Sequence, residues 1–246
     1  MDPTDFSEDQ PVYIFLNGPL CPPPDLPTSP VGSYVIAVDG GALHCLRLKW
    51  PVHLLLGDFD SLTEKGVGIL KEAFPRLEIR RYNREKDESD FELALKLLDS
   101  QNLGHRKIII LGGLGGRWDM TLSNLLLPLA PNFKLLSGPP PHPELVFRDG
   151  QWDIHLLSGP TKFVFRPQIG DRRVSLVPLK DKVTGITLSG GFKYPLSNED
   201  LFLGLTRSLC NELDSTGGTL SLTSGTLLVT ISPLDDEGFR PEAMGF

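Results

Sequence analysis

The chain has 246 residues, 40% of them hydrophobic, with a formal net charge of −7 and a pI near 5.2. The acidic balance argues against a nucleic acid or an anionic membrane surface as the main partner, and the length admits one large domain or two ordinary ones. Cys21, Cys45 and Cys210 are widely spaced and form no Cys-x-x-Cys pair, so neither a zinc ribbon nor a disulfide framework is indicated and a reducing cytoplasm fits best.

Residues 1–10 carry four acids and no basic residue, unlike a signal or transit peptide, and read as a disordered acidic tail. No apolar run approaches the ~18 residues of a membrane span. Val12 to Leu16 reads as a first strand ending at Asn17-Gly18, and the prolines from Pro19 to Pro30 mark a surface loop. Tyr34 to Val38 reads as a second strand, ending at Asp39-Gly40-Gly41-Ala42, with a short helix through Leu48. His53 to Leu56 is a third strand, which stops at Gly57-Asp58-Phe59-Asp60-Ser61.

Leu77-Glu78-Ile79 is a weaker strand candidate. Ser89 followed by Glu92 has capping-box spacing, so a helix is expected from Asp90, with Phe91, Ala94, Leu95 and Leu98 on its apolar side. Lys107 to Leu111 reads as a buried strand that ends in Gly112-Gly113-Leu114-Gly115-Gly116-Arg117-Trp118-Asp119. A helical stretch near Leu122 to Leu127 and a strand near Phe133 to Leu136 follow. Strands alternating with helical patterns predict βαβ units and a parallel sheet.

The pattern changes past the prolines at 139–143. From Leu145 onward come short alternating runs separated by turn residues, among them Trp152 to Leu156, Val174 to Val177 and Leu227 to Val229. These predict an antiparallel sandwich or roll. The expected organisation is a tail over 1–10, an α/β domain over 11–143, and an all-β sandwich over 144–246. The stretch from Pro233 to Phe246 looks loosely held.

In an open α/β sheet, ligands gather at the carboxyl ends of the strands. Asp58 and Asp60, at i and i+2 in such a loop, can converge on one hard cation, and Mg²⁺ is typically held by one or two carboxylates plus water and phosphate oxygens. Asp39-Gly40-Gly41 alone is most simply a turn; read functionally, its glycines let a ligand approach the backbone. Asp90 falls in a first helical turn, where it complements the helix dipole. The loop from Gly112 to Gly116 fits neither the phosphate-loop spacing nor the dinucleotide fingerprint. It retains a general phosphate-facing role through backbone amides and Arg117, with Asp119 spaced to orient Arg117 or to serve a metal.

The ordered set DGGA at 39–42, GDFDS at 57–61, KDESDFELAL at 86–95 and GGLGGRWD at 112–119 resembles the thiamine pyrophosphokinase family. The resemblance implies an N-terminal α/β domain that binds ATP and magnesium, a C-terminal β-sandwich that binds thiamine, and a homodimer with its active site at the subunit interface. It implies transfer of pyrophosphate from ATP to thiamine, with AMP as the second product. By likeness, Asp58, Asp60 and Asp90 gather Mg²⁺ and ATP. Asp39, Arg117 and Asp119 match further active-site positions, and Gly40, Gly41, Ser61, Ser89, Gly113 and Asn124 fall in the nucleotide-binding motifs. Ser208 and Asn211, with Tyr194, match the region that contacts thiamine. Tyr194 reads either as a stacking aromatic or as sandwich core. Leu43 and Met120 stand where the family carries polar residues. Two other readings remain open from sequence: a non-catalytic thiamine- or nucleotide-binding relative, and another metal-dependent transferase with an aspartate pair.

Overall fold

Short apolar runs, most of them closed by a glycine or an acid, set most strands of the first half of the chain. The structure, a computed structural model, describes residues 10–101, 103, 105–133, 135–136, 140 and 142–234. The expected tail over 1–10 and the end of the chain past 234 therefore lie outside the described residues, except for Gln10. The chain divides into two units between Gly150 and Gln151.

The first unit holds strands β1 (Val12–Phe15), β2 (Tyr34–Val38), β3 (Leu54–Gly57), β4 (Glu78–Arg81), β5 (Ile108–Leu111) and β6 (Leu145–Asp149). Its helices are α1 (Ala42–Leu48), α2 (Glu64–Ala73), α3 (Asp90–Ser100) and α4 (Trp118–Leu126). All the strand pairs are parallel, in the order β6-β5-β1-β2-β3-β4. β1, β2, β3 and β5 are buried along their whole length, as a parallel sheet covered on both faces requires. On one face Trp50 sits edge-on to Tyr13 and Phe15, with ring centroids 4.8 and 5.6 Å apart. α3 buries Phe91, Ala94, Leu95, Leu97 and Leu98, each leucine worth about 1.5–3 kcal/mol of burial.

Three elements differ from the sequence-based expectation. The run from Leu145, expected to open the antiparallel layer, is β6; it pairs in parallel with β5 and belongs to the first unit. Phe133, Leu135 and Leu136 are buried but lie outside any strand: their apolar character serves packing and finds no ladder partner. α2 has no counterpart in the expectation, because Gly66 and Gly68 interrupt its helical signal; Thr63 caps it by accepting from the Gly66 N–H at 3.1 Å.

The second unit is antiparallel. Its strands are β7 (Trp152–Ser158), β8 (Thr161–Phe165), β9 (Arg172–Pro178), β10 (Lys182–Phe192), β11 (Leu196–Phe202), β12 (Asn211–Leu222) and β13 (Thr226–Pro233), in the order β11-β10-β12-β9-β13-β7. β12 changes neighbour along its length, pairing with β9 at Asn211–Leu213 and with β8 at Gly218–Leu222. The strands close over one core that includes Leu157, Phe165, Leu176, Ile186, Leu201, Leu213, Leu220 and Val229. Among the described residues, no helix is long and apolar enough to cross a membrane.

Candidate active site

Strand order reverses at β1, with β2 on one side and β5 on the other. A parallel sheet opens a crevice at such a switch point, beyond the carboxyl ends of its strands. There the structure has a cleft of about 520 Å³, lined from β1 by Leu16, Asn17 and Gly18 and from β2 by Val38 and Asp39. The GDFDS loop supplies Asp60 and Ser61; the start of α3 supplies Ser89, Asp90 and Phe91; the glycine loop and α4 supply Gly113, Arg117, Met120, Thr121 and Asn124.

The chain reverses sharply as it leaves β2 and β3. Asp39 and Phe59 adopt left-handed backbone angles, φ 49° and 62°, a strained choice for side chains of this kind. The twist at Phe59 turns its ring into the core, under the Arg81 guanidinium at 5.1 Å, and leaves Asp58 and Asp60 on the outside of the loop. Asp58 Oδ1 accepts from the Asp60 N–H at 3.0 Å, which tightens the loop. The result is a set of three carboxylates, Asp39, Asp58 and Asp60, whose oxygens lie within 4.8 Å of one another.

Asp39 is only 6% exposed, and its Oδ1 is buried with no hydrogen-bond partner among the described residues. Carboxylates packed this closely repel one another, and a buried acceptor without a donor is costly. A divalent cation would satisfy both demands, and an all-oxygen donor set suits a hard ion such as Mg²⁺. The residues present fit such an ion.

Asp90, expected in the metal set, lies outside the three carboxylates whose oxygens converge within 4.8 Å and borders the same cleft. The Lys86 ammonium is 2.9 Å from Asp90 Oδ1 and 3.9 Å from Asp58 Oδ2, close enough to pair with both charges, yet Asp90 Oδ1, like Asp39 Oδ1, is buried with no hydrogen-bond partner among the described residues. Burial pushes the Asp90 carboxyl above its ordinary value, and the charges of Asp58 and Asp39 add to this against the opposing pull of Lys86. Ser89 caps α3, its Oγ accepting from the Glu92 N–H at 3.1 Å. Asn17 donates to Ser61 Oγ at 2.8 Å and Ser61 donates to Asp60 Oδ1 at 3.1 Å, which ties the ends of β1 and β3 together.

Gly40 and Gly41 do not open the backbone to a ligand, as the sequence reading had it. A Cβ on Gly40 would stand 2.0 Å from Asn17 Oδ1, and one on Gly41 would stand 2.1 Å from the Phe15 carbonyl oxygen. What approaches these glycines is the end of β1.

Across the cleft, Arg117 and Asp119 face each other through two contacts, Nε to Oδ1 at 3.1 Å and Nη2 to Oδ2 at 2.5 Å. This hydrogen bonding holds the Asp119 carboxyl below the usual carboxylate range. Asp119 makes the contact that the orienting role requires and is not one of the three clustered carboxylates. Buried Asn124 donates to the Gly113 carbonyl at 2.9 Å, and Thr121 donates to the Gly115 carbonyl at 3.2 Å, so α4 holds the glycine loop in place.

In the second unit, Asn211 clamps the backbone of Tyr194 from both sides. Its Oδ1 accepts from the Tyr194 N–H at 3.1 Å and its Nδ2 donates to the Tyr194 carbonyl at 2.7 Å. Tyr194 is 55% exposed, which rules out the core alternative, and the Lys193 ammonium lies over its ring at 5.6 Å. Ser208 is buried and donates to the Leu176 carbonyl at 2.8 Å.

Asn17, Lys86 and Thr121 received no role from sequence reasoning. Asn17 carried a usable signal: it follows β1 as Asp39 follows β2. Lys86 carried another, four residues before Asp90 in a run of acids.

Comparison with known proteins follows the same division. Residues 31–135 match the family profile described as "Thiamin pyrophosphokinase, catalytic domain", and residues 162–227 match "Thiamin pyrophosphokinase, vitamin B1 binding domain". The chain is 34% identical to thiamine pyrophosphokinase of Bacillus subtilis over 195 residues, covering 79% of this chain and 85% of that protein. It is 26% identical to thiamin pyrophosphokinase 1 of Caenorhabditis elegans over 202 residues, covering 80% and 78%. The crystal structure of the Bacillus subtilis thiamine pyrophosphokinase superposes with a TM-score of 0.76 at 28% identity, covering 91% of this chain and 99% of that one. The two matched profiles, the curated relative and the shared fold together place this chain in the thiamin pyrophosphokinase family.

Proposed function

We propose that this chain transfers the pyrophosphoryl group of ATP to the hydroxyethyl oxygen of thiamine, giving thiamine diphosphate and AMP. The observation that carries the reading is the Asp39–Asp58–Asp60 cluster, with its unpartnered buried oxygen, whose Asp39 and Asp60 line the switch-point cleft of a chain of this family. Asp39, Asp58 and Asp60 would hold Mg²⁺, which would offset the charge of the triphosphate and align its leaving group.

The chain's own groups divide the remaining work. Arg117, fixed by Asp119, presents a guanidinium to phosphate oxygens. The glycine loop, held by Asn124 and Thr121, offers backbone to the same anion. Asp90 borders the cleft beside the cluster, placed to orient the attacking hydroxyl. Attack at the β-phosphorus breaks its bond to the oxygen bridging the α- and β-phosphates, and AMP departs with that oxygen.

The first unit is thus the ATP and metal domain and the second the thiamine domain. The exposed Tyr194 ring, with its backbone clamped by Asn211, suits stacking on a cationic heterocycle. The protein would act as a homodimer whose active site lies at the subunit interface. Support comes from apolar side chains exposed in both units: Trp118 and Leu122 on α4 next to the cleft, and Phe202, Leu203, Leu205 and Leu209 in the second unit. Its three free cysteines suit the cytoplasm.

Purified protein incubated with ATP, Mg²⁺ and thiamine should form AMP and thiamine diphosphate in equal amounts. AMP formation that does not depend on thiamine, or none from folded protein, would overturn the reading.

A further inference from the structure

One cation is built into the carboxylate cluster. The Lys86 side chain is 13% exposed, and its ammonium reaches Asp90 at 2.9 Å and Asp58 at 3.9 Å. Lysine is rarely so enclosed unless its charge is matched. Arg84 also reaches the cluster, at 3.4 Å from Asp60, but its side chain is 77% exposed and approaches from solvent.

Asp58 therefore belongs to two groupings. On one side its oxygens join Asp39 and Asp60, a set that holds the unpartnered Asp39 Oδ1. On the other side it shares the Lys86 ammonium with Asp90, whose Oδ1 lies 2.9 Å from that ammonium and is itself buried with no hydrogen-bond partner among the described residues. A carboxylate shared between two acidic neighbours is the arrangement from which two-ion sites are made, with ions about 3.5–4 Å apart. Here an ammonium sits where a second ion would go.

We propose that Lys86 is a positioning residue that serves as the fixed second cation of this site. It occupies the space between Asp58 and Asp90, directs a divalent ion to the Asp39–Asp58–Asp60 side, and keeps the site to a single ion. The inference rests on the reading that those three aspartates bind a divalent ion.

The test is titration of the full-length protein with Mn²⁺ alone, followed by calorimetry and by electron paramagnetic resonance of the free ion. The wild-type chain should take up one Mn²⁺. Lys86→Met removes a positive charge a few ångströms from the ligands, so it should take up a second Mn²⁺ or bind the first at least about fivefold more tightly. Its turnover should fall at the same time. Lys86→Arg keeps the charge and should retain the wild-type stoichiometry. If circular dichroism shows Lys86→Met unfolded, Lys86→Gln gives the same comparison. Loss of a merely structural contact would weaken Mn²⁺ binding together with stability, the opposite sign. An unchanged stoichiometry with less than that tightening, or weaker binding, in a folded variant would overturn the role of Lys86. Absence of Mn²⁺ binding by the wild-type chain would instead overturn the metal reading beneath it.

Discussion

Gly57 and Asp39 touch where two parallel strands end: a Cβ built on Gly57 would stand 3.2 Å from the Asp39 Cβ and 3.3 Å from its backbone nitrogen. The bare backbone at 57, with φ 146°, lets the Asp39 carboxylate reach those of Asp58 and Asp60. Gly57→Ala must both strain that backbone and push Asp39 away. It should cost about 1–3 kcal/mol of stability in urea denaturation and weaken Mg²⁺ binding. A variant with wild-type metal affinity would show that this contact does not set the cluster.

Function and stability should pull in opposite directions at Asp60. Its carboxylate crowds those of Asp39 and Asp58, so without a metal it is a source of repulsion. Asp60→Asn should lower AMP formation by about a hundredfold or more, because several kcal/mol of charge stabilisation is lost with the metal. In a chelator its melting temperature should equal or exceed that of the wild-type chain, and the rise on adding Mg²⁺ should vanish. Melting curves with and without Mg²⁺ check both halves.

Much of this arrangement could be read from the sequence, and the gaps have physical causes. The Asp58–Asp60 pair was legible because an all-apolar strand ends there and leaves two acids at alternate positions of one loop. Asp39 was seen as an active-site position but not as a partner of that pair. Its approach depends on a left-handed turn and on Gly57, a contact between separate strands that no local pattern records. The helix start at Asp90 was plain in the sequence and its place in a metal shell came from the family resemblance; the Lys86 ammonium folded back onto it is a matter of side-chain geometry. The Gly40–Gly41 pair misled for a similar reason: small residues signal close approach, but not whether protein or ligand approaches. Leu145–Asp149 looked like the first strand of the next layer because its apolar run resembles those after it; only pairing with β5 assigns it to the parallel sheet.

His53 makes stability depend on pH well away from the cleft. Its Nδ1 accepts from the Val35 N–H at 3.0 Å, and its ring stacks on Tyr34 at 5.8 Å. Burial pulls its pKa from 6.5 down to about 4. Between those values the unfolded chain takes up a proton that the folded chain refuses. The contribution of neutral His53 is therefore fully present above pH 6.5 and is lost as pH falls towards 4. Melting temperature should drop across that window, and less steeply in His53→Gln than in the wild-type chain. Parallel slopes would assign the pH dependence to other groups.

The central claim is that Asp39, Asp58 and Asp60 form one divalent-ion site at the switch point of the parallel sheet. Crystals grown with Mn²⁺ and measured at its absorption edge test it directly. The account predicts one anomalous peak with oxygens of all three residues at about 2.1–2.3 Å, and Lys86 still against Asp90. No peak at that place, or an ion held between Asp58 and Asp90 with Asp39 turned away, would contradict it.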